Sequence, residues 1–186
     1  MRAATAPKHD FMKPVVQPSS HKSVEMRRRH TGLDWAIVGL CLIFILISAG
    51  AAYLEPDVRA LHLYEWLIYL AVMVLTLRHS KWGYGIGISA AAFWLGLSLV
   101  GTTFLRDGIQ NWSGFLKTGR IMSVMAFVAV PAAISQLLLI VCCLWDYGRI
   151  KNKQWSDLEI LAGSAVISVV YLAGVVALFW PRFQFR

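Results

Sequence analysis

Apolar residues fill five long runs of this chain, and polar residues gather between them. The runs extend from Trp35 to Leu54, Leu61 to Leu77, Trp82 to Leu105, Ile121 to Trp145 and Ile160 to Trp180. A helix of roughly 20 residues spans the ~30 Å hydrocarbon layer of a bilayer. The runs are apolar on every face, whereas a strand of a transmembrane barrel alternates apolar and polar residues. The pattern predicts an all-α integral membrane protein with a bundle of five transmembrane helices.

The second run is the shortest, and its first turn holds His62 and Glu65. A re-entrant or interfacial segment is therefore an alternative to a crossing. From Trp66 to Leu77 the run carries no charge, and the flanking basic side chains are long enough to reach the headgroups. We predict that this run crosses the membrane.

Capping signals and run ends set the expected boundaries. Thr31 to Asp34 and Ser156 to Glu159 each place a hydroxyl three residues before a carboxylate, which is the spacing of a capping box at a helix start. We predict helices at about 35–54, 61–77, 82–105, 121–145 and 158–180, within one membrane domain of residues 31–186.

Composition agrees with this class, because 58% of the residues are hydrophobic and only 15% are charged. Residues 1–30 contain too few apolar side chains to fold alone, and we expect a disordered basic tail. Seven of the 18 basic residues lie in this tail. Positive segments stay in the cytoplasm, so we predict a cytoplasmic N terminus and, after five crossings, a C terminus outside.

The tail ends in Arg27, Arg28 and Arg29, which this orientation places at the inner membrane surface. Basic side chains there are attracted to anionic lipid headgroups. The net charge of +8 therefore indicates a membrane partner rather than a nucleic acid. We predict a multi-pass protein of the plasma membrane, which is the inner membrane in a bacterium.

Two runs carry small residues at helical spacing. Glycine, alanine and serine let helices approach closely and so mark packing faces in membranes. The predicted packing residues are Gly83, Gly87 and Ala91 in the third run and Gly163, Ser164 and Ser168 in the fifth.

The fourth run contains Pro131, with Ser135 and Gln136 one turn later. Proline leaves the carbonyl of Phe127 without its helical donor, and lipid cannot pair with a glutamine amide. We predict a kink with a polar contact that faces inward. This contact either joins two helices or forms a solute site at mid-membrane.

Polar residues at four run ends share the outer face in this topology. They are Glu55, Asp57, His62, Glu65, Arg106, Asp107 and Arg120. His62 and Glu65 are three residues apart on one helix face, and together they are able to relay a proton. A closed metal site needs about four ligands, and no second His or Cys is available there, so we predict no metal. We expect Glu65 to form an ion pair with Arg106 or Arg120.

A stripe of Ile109, Trp112 and Phe115 predicts a short interfacial helix over residues 109–116, placed to cover this polar group. Cys41, Cys142 and Cys143 lack the spacing of a redox motif and are expected to be core residues.

No catalytic motif is present, and no cofactor is indicated. We predict a small multi-pass protein that acts through helix association, either as an accessory subunit of a membrane complex or as a homo-oligomer. One alternative is a transporter of a small solute or ion, with a polar path near Gln136 and Pro131 and an outer vestibule. A second alternative is a membrane enzyme that uses His62 and Glu65 for catalysis.

Overall fold

Six α-helices form most of the described part of the chain, which contains no strand. The structure is a computed structural model that describes residues 31–149 and 155–179. The helices are α1 Gly32–Leu54, α2 Arg59–Leu77, α3 Lys81–Gly96, α4 Phe104–Thr118, α5 Val124–Gly148 and α6 Trp155–Phe179. Helices α1, α2, α5 and α6 are each long and apolar enough to cross a membrane, and so is α3 together with the helical turn that continues it to Gly101. The all-α class is confirmed, and so is the number of helices that are long and apolar enough to span a membrane, whereas the orientation of the termini stays a prediction.

The predicted tail, with Arg27, Arg28 and Arg29, lies outside the described residues, as does the end of the fifth run at Trp180. The loops and helix ends gather at two ends of the bundle. The Glu55 end holds the α1–α2 connection and the segments that join α3, α4 and α5. The Asp34 end holds the starts of α1 and α6, the α2–α3 turn and the last turn of α5.

Helix α3 is central and packs against α2, α5 and α6. Its glycines divide among these neighbours: Gly83 lies on the end of α2, Gly85 against α6 and Gly87 against α5. A Cβ at Gly85 would lie 2.5 Å from the Ser164 Oγ, a distance that real Cβ contacts do not show. The closest approach therefore lies at Gly85, between the two glycines that the sequence pattern singled out. Ala91 is fully buried on the same helix.

The small residues of α6 meet α3 along part of their length. Gly163 lies under the indole ring of Trp82, where an added Cβ would come within 2.9 Å of a ring carbon. Ser164 and Ser168 are both fully buried. Ser164 faces Gly85, and its hydroxyl donates to the Ile160 carbonyl of its own helix.

The start of α1 forms the predicted capping box. The Asp34 N–H donates to the Thr31 Oγ1 (3.3 Å), and the Thr31 N–H donates to the Asp34 Oδ2 (2.8 Å). The second predicted box, from Ser156 to Glu159, does not form, because α6 already begins at Trp155. Ser156 thus lies inside the first turn, and a hydroxyl must precede the first helical residue to cap it.

The third apolar run does not continue as one helix to Leu105, contrary to expectation. Helix α3 ends at Gly96, a π-helical turn follows over Leu97–Gly101, and Thr102 has an extended backbone. The chain then enters α4 at Phe104, so the last residues of the run belong to a separate helix. Helix α4 covers 104–118 and is longer than the interfacial segment predicted for residues 109–116.

Helix α4 is fastened to the first part of α5. The Trp112 Nε1 donates to the Phe127 carbonyl (2.8 Å), and the two rings stack with centroids 4.1 Å apart. Phe127 is the residue whose helical donor Pro131 removes, so α4 supplies the missing hydrogen bond. The Asn111 Nδ2 also donates to the Ser123 carbonyl (2.6 Å).

Trp112→Phe is expected to loosen α4 and to lower the free energy of unfolding by about 1–2 kcal/mol, because a half-buried carbonyl loses its donor. The effect should shrink in a Pro131→Ala background, where the backbone N–H that alanine brings to this position restores the helical bond to Phe127. Unfolding of both variants in mixed micelles, followed by fluorescence, measures this coupling. An equal loss in the two backgrounds would show that the indole does not compensate for Pro131.

Candidate functional site

A cavity of about 350 Å³ opens into the Glu55 end of the bundle. Helices α1, α2 and α5 form its walls together with the last turn of α3, the π-helical turn that follows it and the first turn of α4. The walls are largely apolar. The polar residues that line the cavity are Ser48, Glu55, His62, Glu65, Ser98, Thr102, Thr103, Asp107 and Gln136.

His62 and Glu65 project together from the start of α2. The His62 Nδ1 lies 2.8 Å from the Glu65 Oε2, and Glu65 is buried. The predicted ion pair of Glu65 with Arg106 or Arg120 is therefore replaced, among the described residues, by this contact within one helix. The spacing of one helical turn explains the choice, since the imidazole reaches the carboxylate directly while the two arginines are exposed and do not line the cavity.

Gln136 lies at the deep part of the cavity and is 3% exposed. The Tyr69 hydroxyl donates to the Gln136 Oε1 (2.9 Å), but the Gln136 Nε2 has no acceptor in the described part of the chain. The Trp94 Nε1, in another buried side chain that lines the cavity, also has none there. Ser135, which was grouped with Gln136, instead donates to the Ala132 carbonyl of its own helix (2.7 Å).

Ser48 serves the scaffold of the cavity. Its Oγ accepts from the Trp66 Nε1 (2.7 Å) and donates to the Phe44 carbonyl (2.9 Å). Both the acceptor and the donor capacity of this hydroxyl are thus used. Ser48 ties α1 to α2 beside the His62–Glu65 pair.

The structure brings together part of the predicted outer group. Glu55, His62, Glu65 and Asp107 line the cavity, and the Thr103 Oγ1 donates to the Asp107 Oδ2 (2.8 Å). The remaining members, Asp57, Arg106 and Arg120, lie at the same end of the bundle but do not line it. Trp94 and Ser98 were missed, because the sequence pattern marked their run only as a packing helix.

A second polar cluster lies at the Asp34 end, where sequence reasoning saw only a helix cap. The Tyr84 hydroxyl donates to the Asp34 Oδ1 (3.1 Å), and the His79 Nδ1 lies 3.7 Å from the Asp34 Oδ2. Lys81 forms an ion pair with the buried carboxylate of Asp157. These contacts join α1, α3 and α6 and close this end with polar groups.

Metal-ligand side chains are dispersed. Within residues 31–149 and 155–179, no three His, Cys, Asp or Glu side chains lie close enough together to hold an ion. Cys41 and Cys143 are buried and Cys142 is half-buried.

Comparisons with known proteins give no family for the chain. It matches no protein-family model, and neither the curated proteins nor the solved structures include one that is detectably similar. The functional argument therefore depends on the cavity itself.

Proposed function

We propose that the chain is a small transport protein and that its solute site is the cavity at the Glu55 end. The depth of the cavity supports this proposal. Its lining runs from the exposed Glu55 and Asp107 to the buried Gln136. Gln136 is the middle residue of α5, which spans Val124–Gly148. A solute in the cavity would therefore enter about half of the membrane thickness, where the sites of many transporters lie.

The bundle is closely packed below the deep end of the cavity, and this agrees with transport. The hydrogen bond from Tyr69 to Gln136 and the contact between the Phe44 and Tyr69 rings, with centroids 4.5 Å apart, lie at its deep end. Farther on, the Asp34 end is held by the ion pair of Lys81 with Asp157. A cavity open at one end and packed at the other corresponds to one state of an alternating-access carrier.

Catalysis is the second candidate, because His62 and Glu65 form a carboxylate–imidazole pair that lines a cavity. Such a pair is suited to proton transfer. Transport is the better proposal, since the cavity continues past this pair to Gln136, a depth that a reaction at His62 does not require. Helix association with a partner or a second copy stays a prediction, because no contact in the structure bears on it.

Orientation and location complete the proposal. The basic tail favours a cytoplasmic N terminus at the Asp34 end, beside anionic lipid headgroups, so the Glu55 end and the cavity would face outside. We propose the plasma membrane, the inner membrane in a bacterium, as the location.

The transport proposal is tested by measuring how fast solutes leave vesicles that contain the protein. Vesicles that contain the full chain would be filled with an equimolar set of amines, amino acids, carboxylates and sugars, and release would be followed by mass spectrometry. At least one component should leave about tenfold faster than from vesicles without protein, which corresponds to roughly 1.4 kcal/mol of barrier. Ala133→Trp should reduce this release to background, because Ala133 lines the cavity.

Ala71→Trp is the matched control, since Ala71 is exposed on the surface of α2 and does not line the cavity. It should keep the wild-type rate of release. Transport through the cavity is ruled out by release no faster than from protein-free vesicles, or by an Ala133→Trp variant as fast as the wild type.

A further inference from the structure

Negative charge predominates along the cavity. Glu55 and Asp107 lie where it opens, and Glu65 lies deeper. His62 is the one basic residue among the described lining residues, which include neither Lys nor Arg, and it already contacts Glu65. An anionic solute would meet these carboxylates without a countercharge, whereas a cation would be attracted to them.

Aromatic and aliphatic side chains supply the rest of the surface. Phe44, Trp94 and Phe104 line the cavity together with aliphatic residues such as Leu61 and Val128. The faces of aromatic rings attract cations, most strongly when water is excluded. These walls therefore suit a cation that has an apolar body, and a small hydrated metal ion fits them poorly.

Two buried N–H donors place a separate requirement on the ligand. The Trp94 Nε1 and the Gln136 Nε2 lack an acceptor among the described residues, although their side chains are only 9% and 3% exposed. Buried N–H groups in proteins are nearly always paired. Both residues line the cavity, but neither nitrogen is itself accessible from it, so a rotation of the side chain would have to expose the N–H to an oxygen of a bound ligand.

We infer that the ligand of this cavity is a small organic cation with an apolar body and an oxygen that accepts a hydrogen bond from Trp94 or Gln136. Glu65 is its countercharge and the Glu55 end is its point of entry. This inference rests on the proposed function, because it names the class of solute that the same cavity would carry.

Three probes of nearly equal shape test the inference on the full chain in lipid nanodiscs. Benzoylcholine has a cation and a carbonyl, 3,3-dimethylbutyl benzoate lacks the charge, and trimethyl(4-phenylbutyl)ammonium lacks the oxygens. Calorimetric titration against empty nanodiscs gives the three affinities. Benzoylcholine should bind about tenfold more tightly than the neutral ester, a difference of roughly 1.4 kcal/mol.

Glu65→Gln keeps an acceptor beside His62 but removes the charge, so it should abolish most of the preference for benzoylcholine over the neutral ester. Glu159→Gln is the control, because Glu159 is exposed at the opposite end of the bundle. It should leave the preference unchanged. Equal wild-type affinities for the charged and neutral probes would overturn the cation assignment.

Trp94→Phe tests the requirement for an oxygen. The variant keeps an aromatic ring and removes one of the two N–H donors, so the preference of the wild type for benzoylcholine over the oxygen-free cation should become weaker. Trp145→Phe, at an exposed position of α5, should retain it. Trp94→Phe also removes part of a buried indole, so its free energy of unfolding should fall by about 1–2 kcal/mol, and binding is measured where the variant remains folded. A wild type that binds both cations equally contradicts this part of the inference.

The two proposals fail in different ways. If Ala133→Trp stops the release of some loaded component but none of the probes binds, the ligand class is wrong and transport stands. If benzoylcholine binds with the expected preferences but no component is released, the ligand class stands and transport is wrong.

Discussion

Gly85→Ala is expected to force α6 away from α3 and to lower the free energy of unfolding by about 3 kcal/mol. The new Cβ would lie 2.5 Å from the Ser164 Oγ and 2.7 Å from the Ser164 Cβ. Both residues are buried, so neither side chain has an open direction in which to move. Equilibrium unfolding in mixed micelles with increasing dodecyl sulfate measures the change.

Ser164→Gly supplies the rescue, because it removes both atoms that the new Cβ would meet. The double variant Gly85→Ala/Ser164→Gly should recover most of the stability that Gly85→Ala loses. Gly96→Ala is a control on the same helix, since a Cβ there meets nothing within 4 Å. A stability loss at Gly96 as large as that at Gly85 would mean that helix contact is not the cause.

Lys81→Met is expected to lower the free energy of unfolding by about 3–5 kcal/mol, because it removes the ammonium group that faces a buried carboxylate. The partner carboxylate of Asp157 is 5% exposed. Lys81 begins α3 and Asp157 lies in the first turn of α6, so the same variant should loosen the Asp34 end. The same unfolding measurement, with protease sensitivity of the α5–α6 connection, reports both effects.

The double variant Lys81→Met/Asp157→Leu removes both charged members of this ion pair. It should lie within about 1 kcal/mol of the wild type, since a buried ion pair often contributes little relative to an apolar pair. Lys117→Met, at an exposed position of α4, should change stability by less than about 0.5 kcal/mol. A small effect of Lys81→Met alone would show that water or other groups compensate the Asp157 carboxylate.

The five spanning helices were predictable because their length and apolar character are set by the solvent that surrounds them. The position at which α3 ends was not predictable from the sequence. Leu97, Leu99 and Val100 continue the apolar run without a proline or a charge, so the pattern gives no reason to stop. The π-helical turn and the extended Thr102 end the helix instead. The start of α4 thus depends on contacts with α5 that hydropathy does not record.

The site was predictable where it is local in sequence. His62 and Glu65 meet because they are one helical turn apart, and Glu55 and Asp107 were correctly placed at one end of the bundle by counting crossings. Trp94 was missed, because a helix that is apolar all around does not reveal which side turns inward. The pair of Lys81 with Asp157, separated by 76 positions, was missed because the sequence does not show which helix ends lie next to each other.

The attachment of α4 to α5 determines how the cavity is able to change shape. Asn111 and Trp112 of α4 both donate to carbonyls at the start of α5, so a movement of either helix would carry the other with it. These two helices are connected to α3 through Thr102 and Thr103, where the chain is not helical. A shift of α5 at Gln136 would therefore move Asp107 as well, so the deep end and the opening of the cavity would change together.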